Sequence, residues 1–184
     1  MKALLDASVA IPYVHAEDVS PAVCRWLGRW MAGGSTLVVP RHFWLEVVNS
    51  LGQRHRYEGV SILEAVHELR QLPIESVELD DPGIVLVIDA TERYALSAYD
   101  AQYVALAQQL DLPLVTLDRR LAAAAGSRAI DPIESSPSLS ETRVPYGSAL
   151  RVTWPDYAGA ASYLASMRAE LTKARDDAGP LAIP

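Results

Sequence analysis

The chain has 184 residues, half of them hydrophobic, and 16 Lys/Arg against 23 Asp/Glu give a net charge of −7. That length suits one ordinary domain with an extension, and the apolar content excludes wholesale disorder. The acidic balance disfavours nucleic-acid binding through a global positive field, the single Cys24 excludes an internal disulfide, and the apolar run at residues 84–88 is far too short to span a membrane.

The charge is uneven: residues 1–134 hold 11 Lys/Arg and 18 Asp/Glu, whereas residues 135–184 hold five of each. The apolar run after Met1 is too short for a signal peptide, and one cysteine fits a reducing, cytoplasmic setting.

In chain order, residues 3–5 read as a strand and 8–15 as a short helix containing Pro12. Residues 21–31 read as a second helix, stopped by Gly33-Gly34. Residues 36–39 form the next strand, ended by Pro40. A long helix over 41–57 follows, then another over 61–72 whose Ser61-Ile62-Leu63-Glu64 resembles a capping box. Residues 74–79 are strand-like, 82–94 and 98–110 helical, 114–116 a strand, 119–125 a short helix and 129–130 a last strand. Residues 135–140 read as a linker, and an apolar stripe from Tyr157 to Ala174 predicts a helix over 156–176. Strands alternating with helices predict an α/β domain with a mainly parallel sheet, whose sites gather at the carboxyl ends of strands.

Four acids stand against these core elements. Asp6 closes the first strand, Glu46 lies inside the long helix, Asp100 opens a helix, and Asp118 follows Leu114-Val115-Thr116-Leu117. Carboxylates so placed are costly unless paired, hydrogen-bonded or bound to a cation. Four of them point to one shared site, and their hard oxygens suit Mg²⁺ or Mn²⁺ and phosphoryl chemistry. Each acid also has a structural reading. Asp6 and Asp118 can cap helices, Asp100 completes a capping box with Ser97, and Glu46 can be a solvated helix position.

Leu5-Asp6-Ala7-Ser8, the helix bearing Glu46 after a Pro-ended strand, Tyr99-Asp100-Ala101-Gln102-Tyr103-Val104-Ala105-Leu106-Ala107 and Leu114-Val115-Thr116-Leu117-Asp118-Arg119-Arg120-Leu121 follow in order. Together they resemble the PIN-domain ribonucleases, and within them the VapC-type toxins of bacterial toxin–antitoxin pairs, over residues 1–133. The resemblance implies a three-layer α/β/α fold and a Mg²⁺- or Mn²⁺-dependent endoribonuclease. It implies that Asp6, Glu46, Asp100 and Asp118 are catalytic. Asp6, Asp100 and Asp118 would hold metal, with Ser8 and Thr116 as supporting hydroxyls. It further implies an RNA substrate, a cognate antitoxin and a homodimer. Residues 134–184, the linker and amphipathic helix, have no counterpart in that pattern; Arg143, Arg151 or Arg168 could reach the acids as a built-in inhibitor.

Helical spacing places Glu46, Asn49, Ser50, Gln53 and Arg54 on one face, opposite Phe43, Val47, Val48 and Leu51. The candidate RNA contacts are Arg54, Arg56, Arg119 and Arg120, since the guanidinium fork matches phosphate. The histidines His15, His42, His55 and His67 sit on separate predicted helices without ligand spacing and read as structural. Cys24 reads as a small buried residue, and Asp80, Asp81 and Asp89 as caps or surface groups. The alternative function is a PIN-fold binding module or RNA-maintenance factor with little nuclease activity. A haloacid-dehalogenase-like phosphatase would want a second carboxylate where Ser8 stands.

Overall fold

Five short runs become strands: β1 (Lys2–Leu5), β2 (Thr36–Pro40), β3 (Ile74–Val77), β4 (Leu114–Val115) and β5 (Ala129–Ile130). In the computed structural model, which describes residues 1–135 together with Ala165 and Ala169, they form one parallel sheet in the order β3-β2-β1-β4-β5. Parallel neighbours require long crossovers. Helices supply them: α1 (Ala7–Val14) and α2 (Ser20–Ala32), α3 (Phe43–Asn49) and α4 (Gly59–Leu69), α5 (Asp81–Tyr94) and α6 (Ala98–Gln109), then α7 (Arg119–Ala125).

Side-chain alternation along the strands divides the core into two layers. Ala3, Leu5, Leu37, Val39 and Val115 pack with Val9, Leu27, Phe43, Val47 and Leu69 from α1 to α4. Leu4, Val38 and Leu114 are cross-strand neighbours and pack on the other face with Ala90, Tyr103, Val104, Leu106 and Leu121. Burial of each large side chain contributes about 1.5–3 kcal/mol. The expected three-layer α/β/α architecture is therefore what forms.

Three local expectations change. The helix expected over 41–57 ends at Asn49 and continues as a π-helical turn, Ser50–Arg54, in which His55 N donates to Ser50 O, five residues back, at 3.1 Å. At about 100° per residue Val48 falls outside the stripe of Phe43, Val47 and Leu51. Val48 is 41% exposed although Phe43, Val47 and Leu51 are fully buried. The next helix starts at Gly59 rather than at Ser61, without a side-chain cap. Finally, the π turn and a left-handed Arg56 (φ 59°) return the chain so that His55 meets His15, with ring centroids 4.0 Å apart. The histidines do not all stand apart.

The expected linker beyond Ser135, the tail arginines Arg143, Arg151 and Arg168, and the helix over 156–176 lie outside the described residues, except that Ala165 and Ala169 are helical.

Candidate active site

From β1 the chain builds β2 and β3 on one side and β4 and β5 on the other. A sheet whose order reverses in this way opens a crevice at the carboxyl ends of the central strands. Asp6 ends β1 there. It occupies the N-cap position of α1, yet its side chain caps no helix amide. Instead its carboxylate accepts a hydrogen bond from the Ser8 hydroxyl and one from Thr116 Oγ1 at 2.7 Å. Those hydroxyls also fix the loop after β4: Ser8 Oγ accepts from Leu117 N at 3.0 Å, and Thr116 Oγ1 from Asp118 N at 3.0 Å. The two small residues thus lock the Asp6 strand to the Asp118 loop.

Asp118 does cap α7. Its Oδ1 accepts from Arg120 N at 2.7 Å and Leu121 N at 3.1 Å, and no cap bond engages Oδ2. The structural and chemical readings of this residue are compatible, because a cap uses one oxygen. Asp100 shows the same economy. Ser97 Oγ caps α6 by accepting from Asp100 N at 3.1 Å, and its hydroxyl donates to Asp100 Oδ2 at 2.8 Å. Glu46, in the first turn of α3, accepts from the Tyr103 hydroxyl at 2.5 Å. Tyr103 belongs to the opposite layer, so this bond crosses the edge of the sheet.

Electrostatics show that the four acids share one field. Burial holds the Asp6 carboxyl above its ordinary range, and Asp118 adds to the rise while the hydroxyl bonds oppose it. Glu46 is pushed up to about 7 by burial; the Tyr103 bond opposes the rise, and the charges of Asp6 and Asp100 add to it. Burial also drives the Tyr103 phenol up, reinforced by Asp6 and Glu46, so it remains a donor. His42, whose Nε2 stands 3.5 Å from Glu46 Oε2, is held toward its neutral form by burial.

The donor set fits a hard divalent ion. Among the described residues no lysine or arginine forms an ion pair with any of the four acids, so the buried Asp6 carboxylate lacks a cationic partner. The carboxylates are not packed at direct coordination spacing. Within the described residues a group of three ligand atoms inside 4.8 Å occurs only at His15, Glu17 and His55. Mutual repulsion spreads four anions, and Mg²⁺ tolerates such a spread because it keeps several waters.

Sequence reasoning missed Tyr103 and His42. The signal was present: Tyr103 lies three residues after Asp100, and His42 four before Glu46, both same-face helical spacings. Of the candidate arginines, Arg119 is exposed beside Asp118. Arg120 is also exposed, but its guanidinium donates to Ala95 O at 2.7 Å and so ties α7 to the left-handed end of α5. Arg54 and Arg56 flank His55 beyond the end of α3, and among the described residues neither forms an ion pair with the four acids. Elsewhere, Asp80 caps α5, Asp89 pairs with Arg93, and Cys24 is half-buried rather than buried.

A model of the PIN domain family matches residues 3–127. Ribonuclease VapC12 of Mycobacterium tuberculosis is 28% identical over 144 residues, covering 68% of this chain and 94% of that protein. Ribonuclease VapC3 of the same organism is 32% identical over 125 residues, covering 66% of this chain and 85% of its own length. A toxin–antitoxin complex from Klebsiella pneumoniae superposes with a TM-score of 0.55 at 18% identity, over 71% of this chain and 97% of that one. No helix among the described residues is long and apolar enough to cross a membrane.

Proposed function

This chain belongs to the PIN domain family, among its VapC-type ribonucleases, and from that premise we propose a divalent-metal-dependent endoribonuclease acting as the toxin of a toxin–antitoxin pair. One observation carries the proposal: at the crevice between β1 and β4 the buried Asp6 carboxylate accepts from the Ser8 and Thr116 hydroxyls, which also hold Leu117 N and Asp118 N, and it has no Lys or Arg ion-pair partner among the described residues. In this reading residues 1–133 are the nuclease domain and residues 134–184 an appended segment.

Asp6, Asp100 and Asp118 would hold Mg²⁺ or Mn²⁺. When bound, such an ion neutralises phosphate charge and acidifies a coordinated water. Glu46 would accept a proton from the attacking water as its oxygen bonds to phosphorus, and the ribose oxygen would depart with a proton from solvent as its P–O bond breaks. A carboxyl at about 7 suits that role, because a base tuned near the working pH is part-ionised yet still basic. The Tyr103 hydroxyl orients Glu46, while Ser8 and Thr116 orient Asp6. Arg119 supplies a phosphate contact beside Asp118. Leu45 and Val48, exposed on α3 near Glu46, offer an apolar strip for the inhibitory antitoxin. Ile84, Val85 and Ile88, exposed on α5, suit the homodimer. The setting is cytoplasmic.

The test is cleavage of a mixed cellular RNA pool with added Mg²⁺ or Mn²⁺ by wild type, Asp6→Asn and Asp100→Asn. Discrete cuts by wild type alone are expected. Equal cutting by all three proteins would refute the site, and no cutting by wild type with either ion would refute the activity.

A further inference from the structure

At the end of α1 remote from Asp6, three potential ligands converge from two elements. One ligand atom from each of His15, Glu17 and His55 lies within 4.8 Å of the other two. His15 follows α1, Glu17 lies in the turn to α2, and His55 follows the π-helical turn. His15 Nδ1 is 2.9 Å from the Tyr57 hydroxyl, which leaves Nε2 as its ligating atom. His55 Nε2 is buried and has no hydrogen-bond partner. The Glu17 carboxylate stands 3.7 Å from it, beyond hydrogen-bond range.

We infer that His15, Glu17 and His55 form a second metal site, for a Zn²⁺-class divalent ion, chemically distinct from the acidic crevice. Two imidazoles and one carboxylate favour a borderline transition metal, and with an open fourth position they match a common tetrahedral zinc set. Ligands on such an ion stand roughly 3.3–3.5 Å apart, given bonds of about 2.0–2.2 Å. Closing from within 4.8 Å asks only for small side-chain rotations.

The scaffold around the cluster is built, not incidental. Ser20, 1% exposed, accepts from Glu17 N at 2.8 Å and donates to His15 O at 3.2 Å, so one hydroxyl fixes both ligands' backbones. The π-type bond from His55 N to Ser50 O and a six-residue bond from Tyr57 N to Leu51 O at 2.9 Å fix the facing segment. Tyr57 on His15 is the outer-shell partner that ligating histidines commonly have. Arg54 opposes a cation nearby, and Glu17 offsets it.

The test uses the tag-free, chelator-treated full chain, titrated with Zn²⁺ by calorimetry and with Co²⁺ by visible absorption. Wild type and Asp6→Asn are each expected to take up one Zn²⁺ tightly. Glu17→Gln and His55→Gln should weaken uptake by about a hundredfold or more, since even outer-shell losses cost 10–100-fold. Wild type that takes up no Zn²⁺, or variants that bind as wild type does, would overturn the site. Should His55→Gln fail to fold, imidazole NMR of wild type decides. Zn²⁺ must shift the His15 and His55 ring signals; shifts confined to His42 or His67 would overturn the inference.

Discussion

Helices α1 and α3 pack together, and their two ends differ in chemistry. At one end Asp6 and Glu46 present oxygen alone, braced by the hydroxyls of Ser8, Thr116 and Tyr103. At the other, His15 and His55 present ring nitrogens, braced by Ser20 and Tyr57. Among the described residues the acidic end has no Lys or Arg ion-pair partner, so a bound cation would relieve its repulsion. The imidazole end sets one carboxylate, Glu17, beside two rings. On the readings proposed above, one helical pair would offer two cation chemistries, separated by hardness of ligand rather than by fold.

The harshest way to break this contrast is Asp6→Asn. We expect RNA cleavage to fall by more than about a hundredfold, a larger loss than outer-shell changes produce. The metal-free variant should melt at or above the wild-type temperature, because a buried ionisable group has been neutralised. A cleaving variant would remove Asp6 from the chemistry, and a lower melting point would contradict the repulsion.

Tyr103→Phe should cost roughly tenfold in cleavage, in line with loss of a bond that orients a metal-site group. Because the Tyr103 bond lowers the Glu46 pKa, its loss should also move the acidic limb of the pH–rate profile to higher pH. A reduced rate with an unmoved profile would make Tyr103 merely a packing residue.

Stability against pH sharpens the same contrast. The fold pushes Glu46 up to about 7 from its ordinary 4.5, so the native state binds more protons between those values. Stability of the metal-free protein should therefore be greatest below about 4.5 as far as this group is concerned, and fall as pH rises toward 7. The loss is on the order of 1–3 kcal/mol, and Asp6, also raised, acts in the same direction. Millimolar Mn²⁺ should reduce the fall; melting curves with and without it, at either end of the window, would expose a flat or opposite trend.

The smallest effect concerns arginines. Arg119→Ala should weaken RNA binding and reduce the salt slope by about 0.7–1, as for one lost phosphate contact. Arg54→Ala, at the imidazole end, should leave that slope unchanged. Equal effects would mean that RNA reaches both ends of the helices.

The acidic end was legible in the sequence because each residue is fixed by local grammar. Asp6 ends a strand, Asp118 begins a helix after one, and Asp100 sits three residues after a capping Ser97. The imidazole end was not legible. Its assembly depends on a one-residue hydrogen-bond slip at Ser50 and a left-handed Arg56, neither of which helical periodicity announces. Glu46 lay between the two cases. Its helix was visible, but its partner Tyr103 reaches it from the opposite layer, a contact that spacing within one helix cannot show.

The hydrogen bond from Thr116 to Asp6 spans 110 residues of chain. So distant a contact forms late, since loop closure must be met before it contributes. During translation Asp6, Glu46 and Asp100 emerge well before Thr116 and Asp118, and none of them alone makes a crevice. A prematurely terminated chain that stops short of residue 116 lacks both the lock on Asp6 and its fourth acid.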